Sequence, residues 1–245
     1  MRRSALVAAA GCVVGWLSLP CLQERPTAQE VLADVSTAYR NIQAMELSGV
    51  ATSDEPSQSN ETDLPHLFGE RDFTAFFSRP STLLVSLIHR GTEESPPWTY
   101  CLALDEQGAS TSASVNGHSI NSGSVDEALS RAAVVASWVP SILAGLLVDK
   151  LANDYSAASL NEAIVASDDL CGGVECWIVR GRWLHRTRLM SVWVAKKTSF
   201  IRRVTISSEK SVDKPSIQID FTSMYVMKPR EKSMTCVFQG GDRAK

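Results

Sequence analysis

The sequence predicts an α+β protein built on an antiparallel sheet, with helices laid over one face of it. Three observations carry this. The stretch from Val174 to Val226 reads as consecutive strands: VECWIVRG, TRLMSVWVAKK, SFIRRVTIS and SIQIDFTSMYV. Near the start, Val31, Leu32, Val35, Tyr39 and Ile42 recur at helical spacing, which makes one apolar stripe on an amphipathic helix. Between these regions, residues 132–148 (AAVVASWVPSILAGLLV) carry no charge at all.

The strand pattern is clearest at the end. Ile217, Ile219, Phe221 and Tyr225 are expected on one face with Ser223, and Ser216, Gln218, Asp220 and Thr222 on the other, because side chains alternate along a strand. Phe200, Val204 and Ile206 share a face in the segment before it, and Lys196 to Ser199 has the length of a hairpin link. In VECWIVRG both faces carry apolar residues, so that strand is expected to be covered on both sides.

Upstream, Thr27 and Glu30 have the spacing of a capping box. A first strand is expected over Leu47 to Thr52, then a polar loop from Ser53 to Asp63 that contains the sequon Asn60-Glu61-Thr62. Strands resume at Glu70 to Ser78, and Arg79-Pro80 turns the chain into Thr82 to Arg90. Trp98 to Leu104 and Gly108 to Ile120 follow, the latter folded at Asn116-Gly117, a strong hairpin signal. Ser124 and Glu127 repeat the capping-box spacing and open a helical region reaching Lys150. Pro140 must break or kink it, because proline lacks the amide hydrogen and clashes with the preceding turn. Three readings of that region stand side by side: a buried helix pair across the sheet, an apolar lid over a ligand cavity, or a segment inserted in a membrane. A further strand is expected over Asn161 to Ala166.

The N-terminus reads as an export signal. Arg2 and Arg3 precede an uncharged run from Ser4 to Gln23. Ala10-Gly11-Cys12 and Leu19-Pro20-Cys21 are the two candidate lipidation sites, and an uncleaved anchor is the alternative, since about 18 apolar residues just span a bilayer. The layout is thus residues 1–23 as signal peptide or anchor, 27–226 as one domain and 227–245 as a polar tail. Export is expected, with the chain either released or anchored to a membrane.

Formal net charge is −3 over 245 residues. Such a chain, with no basic run, is a poor partner for nucleic acid. Cys101, Cys171, Cys176 and Cys236 lie beyond the leader. Cys171 and Cys176 flank Gly172-Gly173 and are candidates for a local disulfide in an oxidising compartment, with free buried thiols as the alternative. The four histidines are scattered, so neither a metal nor a cofactor is expected. Catalysis is not expected either. No G-x-S-x-G elbow is present, and Glu93-Glu94 and Asp168-Asp169 are adjacent carboxylates that read as solvated turns.

Some phrases bear a family likeness. AQEVLADVSTAYRNIQAMELSG runs a helix into a strand, and FTAFFSRPSTLLVSL is a strand, an Arg-Pro turn and a strand. GGVECWIVRG is followed by MSVWVAKKTSFIRRVTI. Over residues 28–226 this order resembles the periplasmic LolA-like superfamily, which includes the lipoprotein carrier LolA and the receptor LolB. The resemblance implies a strongly curved half-barrel sheet with helices closing its concave face. It implies binding of acyl chains in that hollow, or use of the fold to sense envelope stress. It also implies an arginine that controls a lid, for which Arg71 and Arg79 are candidates by position.

The expected function is therefore non-catalytic carriage of an apolar ligand, a lipid or an acylated protein, in the cell envelope. Phe76, Leu87, Trp138, Ile142, Leu143 and Leu146 are the candidate lining residues, and Pro140 is the candidate hinge. The alternative is a sensor or scaffold that contacts an envelope protein partner through the same fold.

Overall fold

The computed structural model describes residues 25–54, 69–79, 82–91, 97–105, 110–116, 118–119, 127–130, 136–148, 151, 156–183, 188–208 and 214–229. The leader with Cys12 and Cys21, the sequon, Ser124, Glu93-Glu94, Cys236 and the tail beyond residue 229 lie outside these. Among the described residues, no helix is long and apolar enough to cross a membrane.

The chain opens with helix α1 (Ala28–Arg40). Its capping box forms as the spacing predicts: Glu30 N–H donates to Thr27 Oγ1 at 3.2 Å, and Thr27 N–H donates to Glu30 Oε2 at 2.7 Å. These bonds satisfy early backbone donors that the helix itself leaves open. They also hold the Glu30 carboxyl below its ordinary range. Val31, Leu32, Val35 and Tyr39 are buried along the expected stripe.

Among the described residues, eleven strands then form one antiparallel sheet: β1 (Ala44–Ser53), β2 (Gly69–Ser78), β3 (Thr82–His89), β4 (Trp98–Asp105), β5 (Ser110–Val115), β6 (His118–Ser119), β7 (Asn161–Cys171), β8 (Val174–Trp183), β9 (Arg188–Ala195), β10 (Ile201–Ser207) and β11 (Ile217–Met227). The spatial order is β6-β5-β4-β3-β2-β1-β11-β10-β9-β8-β7. Two meanders, one from each half of the chain, are therefore joined along the single β1–β11 seam. Between them the chain forms a helical turn over residues 127–130 and helix α2 (Val139–Leu147).

Alternation sends one face of the central strands into the core. Phe73, Ala75 and Phe77 of β2 lie opposite Leu87, Val85 and Leu83 of β3, and all six are buried. In the other meander Met190, Val192 and Val194 meet Ile206, Val204 and Ile201. Both helices cover this face: α2 touches α1 and β3, and α1 touches β7 and β8. Tyr39 is buried there and accepts a hydrogen bond from Ile201 N–H at 3.3 Å, with its ring edge-on to Phe200 at 5.4 Å.

The seam holds an irregularity that reverses one expectation. Ser48 pairs with Ser223, but the next residue, Gly49, pairs with Phe221, so Thr222 is an extra residue. A bulge of this kind swaps the faces of everything beyond it. Tyr225, expected inside with Ile217, Ile219 and Phe221, instead points outward and is 65% exposed. Gly49 is required at this point. A Cβ there would collide with the Asp220 carbonyl oxygen and lie 2.5 Å from Phe73 Cζ. Phe73 in turn packs edge-on to Phe221 across the vacant position, at 5.7 Å. A second bulge, between Ile201 and Arg203, puts Ile201 rather than Phe200 in register with Val204 and Ile206.

The expected strand over Asn161 to Ala166 runs on to Cys171 as one arm of a hairpin turned by Gly172-Gly173, both at positive φ. The local disulfide is not formed: Cys171 and Cys176 are free and buried. Cys176 lies opposite Asp169, and Cys171 opposite Val174. The two thiols are thus diagonal neighbours, a separation of about 7 Å where a bridge needs about 3.8 Å between Cβ atoms. They pack with Ala195, Val174 and Trp193 in a small apolar cluster outside the main core. Burial pushes the Cys176 thiol up to about 11. Cys101 is disulfide-bonded.

Candidate functional site: the concave face under helix α2

Helix α2 has the sequence VPSILAGLL, and every one of its residues is buried. An ordinary surface helix keeps a polar side for water. This one has none, and Ser141 turns its hydroxyl inward to donate to the Leu129 carbonyl at 3.2 Å. Pro140 does not kink the helix but starts it, in the first turn, where no intrahelical amide bond is lost. The break expected at this proline lies just before it. Ser137 and Trp138 both take left-handed backbone angles, φ 49° and 66°, which are costly for residues with side chains.

That strained pair ties the two halves of the sheet together. Ser137 Oγ accepts a hydrogen bond from Arg71 of β2. Trp138 packs edge-on against Trp183 of β8 at 5.3 Å, and Arg188 of β9 lies over the Trp138 ring at 5.8 Å. β2 and β8 are five steps apart in the sheet order, about 24 Å if the sheet were flat. Their side chains reach adjacent residues only because the sheet curls into a half-barrel around α2.

The far end of α2 is held from the same strand end that leads into β3. Arg79 donates from Nε to the Ile42 carbonyl at 3.0 Å and from a terminal nitrogen to the Leu147 carbonyl at 3.3 Å. Leu147 is in the last turn, where carbonyls lack an intrahelical partner. Arg71 and Arg79 therefore grip the two ends of α2. The arginine positions suggested by resemblance are both engaged with this helix.

Arg71 sits in a buried polar cluster among the apolar ones. It is 0% exposed, and His89 and Trp98 are each 2% exposed. Its guanidinium carbon lies 5.5 Å from the Trp98 ring centre. His89 stacks on the same indole at 5.6 Å with the rings inclined by 29°. Burial pushes the Arg71 pKa down to about 10, and the side chain stays charged at neutral pH. His89 Nδ1 lies 3.1 Å from the Glu70 carbonyl oxygen. A carbonyl only accepts, so Nδ1 carries the hydrogen.

The six candidate lining residues do not converge. Leu87, Ile142, Leu143 and Leu146 are all buried in the main core. Trp138 is half-buried at the strained entry to α2. Phe76 lies elsewhere: it pairs with Glu46 and Leu84, one residue out of phase with Phe73, Ala75 and Phe77, and so faces outward. Strand periodicity alone separates it from Leu87. His89, Trp98 and Ser137 were not singled out from sequence, although alternation places Arg71 in phase with Phe73 and His89 in phase with Leu87. Among the described residues, no three potential metal ligands gather.

No family model and no curated protein matches the sequence. Among solved structures, the chain is similar to MucB at 12% identity and a TM-score of 0.46, covering 83% of this chain and 60% of that one. It thus spans about 60% of the MucB structure's length. It is also similar to a putative outer membrane lipoprotein-sorting protein domain from Vibrio parahaemolyticus, at 9% identity and a TM-score of 0.36, covering 83% of this chain and 94% of that one. A LolA superfamily protein from Nitrosomonas europaea is similar at 9% identity and a TM-score of 0.32, covering 85% of this chain and 96% of that one.

Proposed function

We propose that this protein is an exported, non-catalytic binder of an apolar chain, a lipid or the acyl group of a lipoprotein, and that α2 is the plug such a chain displaces. The supporting observation is a helix with no polar face, buried throughout and gripped at its ends by Arg71 and Arg79. Any buried helix needs partners for its open end groups; here they come from arginine side chains of the sheet, bonds that can be released and remade as the helix leaves and returns.

Magnitudes favour exchange. Burying Val139, Ile142, Leu143, Leu146 and Leu147 gains about 8–15 kcal/mol at about 1.5–3 per side chain. Ordering nine residues costs about 9–18 kcal/mol at about 1–2 each. The seat of α2 is therefore shallow before the arginine bonds and the helix's own hydrogen bonds are counted. An acyl chain burying about 14 methylenes gains about 11 kcal/mol at ~0.8 each, enough to take its place. Pro140 at the start of α2 and the strained Ser137-Trp138 pair beside it form the hinge in this reading. Leu87 and the concave faces of β2 to β4 line the vacated hollow. The layout proposed from sequence goes with it: residues 1–23 direct export, 27–226 form the binding domain and 227–245 are a tail.

The test is titration of the protein with an uncharged fluorescent acyl probe, the methyl ester of cis-parinaric acid. One saturable site per chain is expected. Only a linear, unsaturable response would reject the carrier reading. It would leave the other member of this pair, a scaffold that contacts a protein partner through the outer face or the β7 edge.

A further inference from the structure

The buried cluster of Arg71, His89 and Trp98 is more polar than a plug seat requires. Two of its atoms point to a ligand. Trp98 Nε1 and His89 Nε2 are buried with no hydrogen-bond partner, a costly state for polar groups removed from water. They are of opposite kinds. The indole N–H can only donate. The imidazole has its hydrogen on Nδ1, engaged with the Glu70 carbonyl, so Nε2 of the neutral ring is an acceptor. Beside them lies a guanidinium, also buried, whose planar fork suits a carboxylate.

We propose that this cluster is the headgroup site for a carboxyl-bearing amphiphile, a free long-chain fatty acid or its close analogue. This rests on the acyl-binding reading above and names the ligand class of that same hollow. A carboxyl group meets the cluster's demands at once. Its O–H bonds to His89 Nε2, and its second oxygen accepts from Trp98 Nε1 and from Arg71. If the proton moves fully, the O–H bond breaks as an N–H bond forms on Nε2, and a carboxylate is left between an imidazolium and a guanidinium. No other reactant is needed. The guanidinium carbon and the imidazole centre lie 5.5 Å and 5.6 Å from the indole centre. All three polar ends therefore belong to one compact cluster, within reach of a single small headgroup.

The position couples the headgroup to the plug. Arg71 is the residue that holds Ser137, at the entry to α2. A carboxyl group that draws the guanidinium toward Trp98 weakens that grip as the acyl chain arrives. Trp98 and His89 face each other at neighbouring strand ends, β4 and β3. The headgroup therefore sits at one end of the sheet, with the chain running along the face that α2 occupies.

The test compares cis-parinaric acid with its methyl ester on the full chain. The two share one chain, but the ester has neither a donor hydrogen nor an ionisable proton. The acid is expected to bind at least tenfold more tightly than the ester. Trp98→Phe keeps an aromatic ring but removes the N–H together with part of the indole, and Arg71→Met removes the charge. Both should shrink the acid-to-ester affinity ratio, Arg71→Met toward one. Equal binding of acid and ester to the unaltered protein would overturn the headgroup site and leave acyl binding intact. Binding of neither probe would overturn both. An undiminished ratio in Trp98→Phe and Arg71→Met would place the carboxyl group elsewhere and overturn this assignment.

Discussion

Leu143→Asp is expected to unseat α2 while the sheet stays folded. Leu143 is completely buried at the middle of the helix. An unpaired carboxylate held there would cost several kcal/mol in desolvation, on top of about 2 kcal/mol of lost apolar burial. The chain has a cheaper alternative, which is to leave the face. The cost is then capped at the free energy of seating α2, and that seat is shallow. Hydrogen exchange should show the amides of residues 141–147 opening at least 100-fold faster, with β1 and β11 still protected. Joint loss of protection in α2 and the seam would mean that α2 is ordinary core and not a plug.

Gly49→Ala should do the reverse and strike the sheet itself. The added Cβ would meet the Asp220 backbone carbonyl and the Phe73 ring. The carbonyl belongs to a paired strand and cannot swing aside as a flexible side chain could. Overpacking typically costs 1–3 kcal/mol, and a clash with backbone at a bulge belongs at the top of that range, about 3 kcal/mol. The location magnifies it. β1–β11 is the single seam between the two meanders, so weakening it loosens both. A clear drop in denaturation midpoint is expected, with early loss of protection in β1 and β11. An unchanged midpoint would contradict the packing described at the bulge.

Much of the architecture was legible from local patterns. The capping box at Thr27 and the stripe from Val31 to Tyr39 determine α1 by short-range chemistry, and both appear as read. The hairpin links at Asn116-Gly117 and Lys196 to Ser199 follow from turn residues, and strands flank each of them. Bulges were not legible. Thr222 looks like any residue of an alternating strand, and only its partner strand shows it to be extra. That is why Tyr225 was expected inside.

The candidate site was half legible. A long uncharged run with a proline marks α2, because no surface helix can be apolar all round. The polar groups that hold it were harder to see. Arg71 belongs to a charged tripeptide, Glu70-Arg71-Asp72, that reads as a strand entrance. Only phase with Phe73 gives its burial away. Ser137 is one serine among many, and its partner is 66 residues earlier. The outward turn of Phe76 was legible in principle, since neighbours on a strand cannot share a face.

The most direct test of the binding account is native mass spectrometry of the protein isolated from its own envelope fraction, before and after organic extraction. The account predicts an added mass that extraction removes, and identification of the released species as an acyl-bearing, carboxyl-headed molecule. A chain that carries nothing from its envelope, and takes up no acyl probe after extraction, would contradict it.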